Sequence, residues 1–437
     1  MTFLSNSNEK KLLNILLLLA VSIFYYKIFI VYDHYPLHDE IIALDRYTEW
    51  KNFLRRNTIG NHTINSLIAV IHNSIFGYDF INLRLISFVS FVGILLVFRF
   101  LYNSVFLFLI FIIVLTSSNI LFNYTYIFRG YYTAALLAIL TFFYLKKYFY
   151  NINNIKNLRI LLFLIFLQLF HSLFTIYIAI PSLIMILFLV LKRKIIKESF
   201  FSIFLFIILI ILTYILFAFI DGFVSLHNSD LNFNFLFQNL FSILIPCIIE
   251  GLRPMFFNEY APIDFFSLTS VFRAMYFGAD YILVSEPVFL IIYLSSFLIM
   301  LFNLIKSKMT DYFSITMLLI FVFFIITFTA PPLRVHTGTI YFCLFYIMNY
   351  MDNFTFFKKK IISKLSFILC IFFITTVSPN NDFQQTKKSI LKIDEFKSDC
   401  QKSNTMLNQY EIWVLINYYP TQCKYKYDSN IKINILF

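Results

Sequence analysis

Long apolar segments recur along almost the whole chain, and short loops containing Lys and Arg separate many of them. A helix needs about 20 apolar residues to cross the hydrocarbon core of a bilayer, and residues 12–32 and 287–305 have this character. Only 13% of the 437 residues are charged, whereas soluble domains have about 25%. Runs of this length also exclude a transmembrane β-barrel, whose strands alternate apolar and polar residues. The sequence therefore predicts an all-α polytopic membrane protein.

The Lys and Arg residues orient the predicted spans, because short cytoplasmic loops are enriched in both. Lys10 and Lys11 precede the first apolar run and place the amino terminus in the cytoplasm. The apolar segment 159–191 is too long for one span at about 1.5 Å per residue, so we predict a break near residues 171–175. About eleven spans result. They are residues 12–32, 83–100, 104–121, 131–148, two within 159–191, 200–220, 287–305, 312–330, 337–351 and 361–377.

These spans define a transmembrane domain of residues 1–377, followed by a polar tail of residues 378–437. The tail is predicted to form a small domain on the outer side. Two long segments, residues 33–82 and 221–286, also fall on the outer side. In the first of them, helical periodicity over residues 64–76 predicts an amphipathic helix at the membrane surface.

Two features of the outer segments stay open. The apolar part of the second loop, residues 233–249, is either an interfacial or re-entrant helix or a further crossing. Cys400 and Cys423 both lie in the tail, where they either form a disulfide or remain free thiols.

Charged and imidazole side chains gather at the predicted outer face. Such groups are costly next to hydrocarbon and often mark functional sites. The candidates come from well-separated parts of the sequence, as a ligand site between helices requires. They are Asp39, Glu40, His62, Arg84, Arg129, His171, Arg334 and His336.

Asp39 and Glu40 form an acidic pair directly after the first span. Neighbouring side chains on a helix point about 100° apart, so the two carboxylates cannot both face one ligand. One reading is catalytic. The other is structural, because carboxylates complement the amino-end dipole of the helix predicted over residues 41–54.

The basic candidates also allow two readings each. Arg129 and Arg334 are either interfacial anchors or partners for a phosphate, which the planar guanidinium binds well. His171 lies in an apolar run and is either a satisfied core residue or a ligand contact. His62 precedes a surface helix, where capping or solvation is the plain reading.

Several function classes are excluded or disfavoured. The net charge of +12 comes from short clusters between apolar runs, so it reflects topology and indicates no nucleic-acid partner. No metal-ligand spacing, Walker loop or dinucleotide fingerprint occurs, and no metal site is predicted. A lipid or solute transporter would favour internal repeats and Gly- or Pro-broken spans, which the sequence lacks.

The order of these features resembles the GT-C glycosyltransferases, in the branch of the protein O-mannosyltransferases and the lipid A aminoarabinose transferase. The resemblance covers mainly the first 190 residues. Its elements are Asp39-Glu40, a polar segment from His62 to Phe76-Gly77, Arg84-Leu85-Ile86-Ser87, Arg129-Gly130-Tyr131, His171-Ser172 and Arg334.

The resemblance implies a GT-C-like fold in a bacterial inner or plasma membrane. It also implies transfer of a sugar from a polyprenyl-phosphate donor to a protein, lipid or glycan acceptor at the outer face. Asp39 would act on the acceptor with Glu40 in support, and Arg129 and Arg334 would contact the leaving phosphate. The remaining substrate-site residues would be His62, Arg84, Tyr131, His171 and His336. No cofactor is implied, and a divalent cation stays open.

A polysaccharide polymerase or ligase of the cell envelope is the alternative. Such enzymes also have many spans and large outer loops with arginines. They have no need, however, for an acidic pair just after the first span.

Overall fold

The computed structural model of the chain describes residues 2–31, 62–77, 80–171, 175–192, 201–213, 287–307, 311–327, 337–354 and 360–377. Regular secondary structure in these residues is helical throughout, and no strand occurs among them. The helices are α1 (Thr2–Tyr25), α2 (Thr63–Phe76), α3 (Phe80–Leu101), α4 (Val105–Ser117), α5 (Asn119–Asn123), α6 (Tyr131–Tyr150), α7 (Ile155–His171), α8 (Ile176–Lys192), α9 (Phe201–Thr213), α10 (Pro287–Lys306), α11 (Tyr312–Thr327), α12 (Thr337–Met351) and α13 (Lys360–Thr376). A π-helical turn, Tyr26–Val31, continues α1.

Three of the described helical segments are long and apolar enough to cross a membrane: Asn8–Ile30, Asn82–Leu101 and Val288–Lys306. Large apolar side chains on these helices are exposed, as Leu18 at 71% and Ile305 at 79% illustrate. Soluble monomers rarely expose large contiguous apolar patches. The outer surfaces of these helices therefore suit hydrocarbon better than water.

The helix bounds confirm the predicted break in segment 159–191, because α7 ends at His171 and α8 begins at Ile176. They differ in the predicted span 104–121, which is divided between α4 and the short α5. The cause is Ser118, whose hydroxyl accepts a hydrogen bond from the Leu121 N–H at 3.1 Å. A serine in this position caps a new helix.

Helices α6 and α12 pack side by side and run in the same direction. Near their starts, the hydroxyls of Tyr132 and Tyr341 are hydrogen-bonded at 2.7 Å. Near their ends, Lys146 Nζ donates to Asn349 Oδ1 at 2.6 Å. Gly338 lies directly against α6, since an added Cβ there would be in van der Waals contact, at 3.4 Å, with the Ala134 carbonyl oxygen.

Helix α3 also runs parallel to α6. Ser90 and Thr133 share a hydrogen bond at 3.0 Å, and Gly93 packs against Leu136 three residues further along each helix. Helix α7 is antiparallel to α6, because His171 contacts Gly130 whereas Gln168 Nε2 bonds to the Leu137 carbonyl at 3.2 Å. The amino ends of α3, α6 and α12 therefore lie beside the carboxyl end of α7, and we call this the site end.

Basic side chains gather at the opposite end, called here the basic end. Arg99 near the carboxyl end of α3 donates to Asn14 in the middle of α1 at 2.7 Å. Phe24 near the end of α1 packs against Phe91, earlier in α3, so α1 is antiparallel to α3. Lys192 at the end of α8 lies over the Tyr312 ring at the start of α11. The basic end comprises Lys10, Lys11, Arg99, Lys146, Lys147, Lys156, Arg159, Lys192, Lys306 and Lys364.

Lys27 is a cation at the site end with a specific structural role. Its ammonium donates to the carbonyl oxygens of Thr375 and Val377, at 2.6 and 2.5 Å. These carbonyls belong to the carboxyl end of α13, where the helix dipole favours a positive charge. The contact joins the first and last described helices.

Several sequence predictions fall outside the described residues. They concern the helix over residues 41–54, the outer loop 221–286 with its apolar part 233–249, and the tail domain 378–437 with Cys400 and Cys423.

Candidate functional site

The structure describes five of the predicted site residues and brings several of them together at the site end. His62 stands before α2, Arg129 and Tyr131 flank the start of α6, and His171 ends α7. The other predicted site residues lie outside the described part of the chain. These are Asp39, Glu40, Arg334 and His336.

Gly130 forms the centre of this cluster. Its φ of 72° is in the left-handed region, which glycine adopts at little cost. A Cβ at Gly130 would lie 2.4 Å from the His62 Cβ and 3.2 Å from the His171 Cε1. The backbone conformation and the crowding both require glycine here, and its absent side chain lets the two imidazoles approach.

The Gly130 carbonyl fixes the orientation of His171. The distance from its oxygen to His171 Nε2 is 2.9 Å. A carbonyl oxygen can only accept a hydrogen bond, so Nε2 carries the hydrogen and donates it. His171 is thereby held at the junction of α6 and α7, with its side chain fully buried.

Aromatic contacts hold the His62 ring in place. Its centroid lies 4.7 Å from that of Tyr131 in an edge-to-face arrangement, and 5.2 Å from that of His171. Tyr131 in turn packs edge-on against Tyr124 at 4.8 Å. His62 is 4% exposed, so this ring is enclosed on most sides.

Burial lowers the pKa of His62 well below its ordinary value of 6.5, and the nearby His171 and Arg129 lower it further. The imidazole is therefore neutral at physiological pH. A neutral ring presents one N–H donor and one nitrogen acceptor. Neither ring nitrogen of His62 has a hydrogen-bond partner in the described structure.

Arg84 and Arg129 are buried at the same end of the helices, with exposures of 1% and 7%. The Arg84 guanidinium carbon lies 5.7 Å from the centroid of the Tyr126 ring, a distance suited to a cation–π contact. Ser87 fixes the loop that carries Tyr126, since its hydroxyl donates to the Ile127 carbonyl at 2.7 Å. Buried guanidinium groups next to apolar helices are costly and tend to be functional.

The amino end of α2 contributes polar groups that the sequence reasoning missed. Thr63 and Asn65 are 1% and 2% exposed. The Thr63 hydroxyl and both amide atoms of Asn65 are buried and have no hydrogen-bond partner in the described structure. The sequence carried no clear signal for them, because α2 contains further polar residues and only the packing of the helix shows which of them are buried.

The described residues contain no group of three or more His, Cys, Asp or Glu side chains arranged to hold a metal ion. What they do provide at the site end is two buried guanidinium groups, two imidazoles and a buried amide. This set can bind an anionic or strongly polar group and can exchange a proton through an imidazole.

Comparison with protein-family models, curated proteins and solved structures found no match to this chain. The likeness to GT-C glycosyltransferases therefore rests on the sequence motifs and stays a prediction.

Proposed function

We propose that the chain is a membrane glycosyltransferase that moves a sugar from a polyprenyl-phosphate donor to an acceptor of the cell envelope. One observation carries the proposal: residues of four separate motifs meet at one end of the helices. His62, Arg129, Tyr131 and His171 are in contact or near contact there, and Arg84 is buried at the same end. The resemblance assigns these same residues to the substrate site.

The chemistry of transfer suits this set of side chains. The lipid phosphate leaves as the acceptor attacks the anomeric carbon, so negative charge develops on the phosphate. Cations aimed at developing charge in a water-poor site stabilise the transition state strongly. Arg129 takes this role in the proposal, and Arg334 joins it because it precedes α12, whose amino end lies at the site end.

Asp39 serves as the general base for the acceptor in the proposal, with Glu40 in a supporting position. His62, Arg84, Tyr131, His171 and His336 line the substrate site. A general base contributes about 10²–10⁴-fold to the rate.

The proposal includes an orientation and a span count. The eleven predicted spans cross a bacterial inner or plasma membrane. The positive-inside rule assigns the basic end to the cytoplasm. The site end then faces the outside, where a flipped lipid-linked sugar and an envelope acceptor can both reach it.

Sugar transfer by the purified full chain in lipid nanodiscs tests the function. The probes are radiolabelled polyprenyl-phosphate hexoses and pentoses with cell-envelope extract as acceptor. We expect transfer from at least one donor, and its loss, by about 100-fold or more, in Asp39→Asn. Arg129→Ala should raise the donor concentration needed for half-maximal rate. Full activity of Asp39→Asn, or no transfer from any donor, contradicts the proposal.

Arg99→Ala is the matched control for Arg129→Ala. It removes a guanidinium from the basic end, where Arg99 bonds to Asn14 and Asn103. We expect the donor dependence of this variant to equal that of the unaltered chain. Mass spectrometry of envelope glycans and lipids from a deletion strain then identifies the sugar and the acceptor.

A further inference from the structure

The amino end of α2 holds an unusual concentration of buried polar atoms with no partner. Five such atoms belong to three residues: both ring nitrogens of His62, the Thr63 hydroxyl and both amide atoms of Asn65. Each of these residues is more than nine-tenths buried. Buried polar groups in native proteins are nearly always hydrogen-bonded. Such a group of atoms therefore indicates a polar ligand that completes their bonds.

The backbone of the same turn adds donors. The first bond within α2 runs from the Ser66 N–H to the His62 carbonyl at 3.0 Å. The N–H groups of Thr63, Ile64 and Asn65 therefore have no acceptor inside the helix. His62 stands at the capping position without making a side-chain cap, and the first turn contains no acidic residue. In a helix of 14 residues, this end carries a positive partial charge.

Charge at the site end points to an anion rather than a neutral group. The buried guanidinium of Arg129 is near enough to His62 to act on it electrostatically. Within the described residues the carboxylates are those of Glu9, Asp311 and Asp352, and all three lie at the basic end. None of these three carboxylates lies near the start of α2.

We propose that the amino end of α2 binds a phosphoryl group, with its free N–H groups, the Asn65 amide, the Thr63 hydroxyl, His62 and Arg129 as ligands. Tetrahedral oxyanions accept several hydrogen bonds at once, and helix amino ends are suited to them. The phosphate is either that of a polyprenyl lipid or free inorganic phosphate. The proposal does not rest on sugar transfer, because binding requires no reaction.

Two binding measurements on the full chain in nanodiscs test the proposal. Equilibrium dialysis with radiolabelled inorganic phosphate tests the free anion, and native mass spectrometry with polyprenyl phosphate in the nanodisc lipid tests the lipid source. Asn65→Leu should weaken binding about 10-fold or more, because hydrogen bonds to charged groups are the strong ones. Thr63→Val, a change of nearly equal shape, should weaken it less but measurably.

Asn73→Leu is the matched control. It makes the same substitution on the same helix, at the carboxyl end, where Asn73 is only partly buried and contacts His72. We expect its phosphate affinity to equal that of the unaltered chain. A thermal unfolding midpoint for each variant separates loss of binding from loss of the fold.

The outcomes separate the possibilities. Binding of polyprenyl phosphate but not inorganic phosphate assigns the lipid source, and binding of both assigns a general phosphoryl site. Absence of both, equal affinity in Asn65→Leu and Asn73→Leu, or preferential binding of a neutral monosaccharide overturns the proposal. Phosphate binding by a chain that shows no sugar transfer supports this inference while contradicting the proposed function.

Discussion

Gly130 shows how one residue can organise a site. It combines a left-handed backbone, a carbonyl that orients His171 and an absent side chain that makes room for His62. Each of these properties alone occurs in ordinary turns. Together they make the position intolerant of any side chain, because a Cβ would displace both imidazoles.

Gly130→Ala should lower the free energy of unfolding by about 2–5 kcal/mol, the sum of left-handed strain and overpacking. Gly77→Ala is the control, because Gly77 also has positive φ, 80°, but an added Cβ there would meet no atom within 4 Å. With ψ at 173°, Gly77 adopts a conformation that is essentially restricted to glycine, so this variant should lose about 1–3 kcal/mol from backbone strain alone. Chemical denaturation in detergent measures both. Equal losses in the two variants would contradict the crowding at Gly130.

His62 should make the fold sensitive to acid. Its folded-state pKa lies well below the ordinary value of 6.5, so below pH 6.5 the unfolded chain binds a proton that the folded chain does not. Stability is therefore complete above pH 6.5 and falls on acidification, by up to about 1.4 kcal/mol per pH unit. Thermal unfolding between pH 7.5 and 5.5 measures this loss.

His62→Gln should reduce that loss, because no imidazole remains to be protonated on unfolding. His72→Gln removes an imidazole from the same helix at a partly buried position and serves as the control. The acid-induced drop should be smaller in His62→Gln than in His72→Gln. The opposite order would contradict a buried neutral His62.

At the scale of elements, the parallel packing of α6 and α12 makes a specific geometric prediction. A Cβ at Gly338 would lie 3.7 Å from the Ala138 Cβ, within the range of about 3.5–4.5 Å found in disulfides. Ala138→Cys with Gly338→Cys should therefore cross-link on mild oxidation, in a chain whose five native cysteines are replaced by serine. A reducible shift on gel electrophoresis after proteolysis between the helices reports the bond.

Leu136→Cys with Gly338→Cys is the matched pair for this test. The Leu136 side chain packs against Gly93 of α3 and so faces away from α12. We expect no cross-link in this pair. Equal cross-linking of both pairs would mean that α6 and α12 are not packed in the register described.

Hydropathy was enough to predict most helices but not their partners. Residues 337–351 were predicted as a span with the bounds of α12, and the break after His171 followed from length alone. The end of α4 was missed, although the polar run Thr116-Ser117-Ser118-Asn119 interrupts the apolar segment there. Parallel contacts such as Tyr132 with Tyr341 depend on which helices meet, and a single sequence carries no such information.

The site was predictable to a similar degree. Arg129 and His171 stood out as polar groups in apolar surroundings, and the structure brings them to one end of the helices. The roles of Gly130 and Asn65 were not predictable. They depend on contacts through space with His62 or on burial by other parts of the chain, and local sequence patterns do not report either.

At the scale of the whole molecule, charge is divided between the two ends. Lys and Arg side chains from separate helices lie together at the basic end, although the sequence distributes them over some 350 residues between Lys10 and Lys364. Because this segregation matches the positive-inside rule, we expect the basic end to face the cytoplasm.

Single cysteines and a membrane-impermeant maleimide test this orientation in intact spheroplasts. Ser74→Cys on exposed surface of α2 should react from outside. Asn153→Cys, in the exposed turn between α6 and α7, should react only after permeabilisation. The reverse pattern would place the site end in the cytoplasm and contradict the proposed use of an externally presented donor.

The hydrogen bonds of Lys27 to the carboxyl end of α13 have a consequence in time. Their partners lie 348 and 350 positions later in the chain. At about 5–20 residues per second, roughly 20–70 s of synthesis separate the emergence of Lys27 from that of its acceptors. During this interval α1 can pack with α3 and α4. The surface of α1 that later contacts α13 stays uncovered, and the Lys27 ammonium lacks its two carbonyl acceptors. A nascent chain stalled before residue 360 would therefore expose this surface of α1, with its ammonium, to the insertion and quality-control machinery of the membrane.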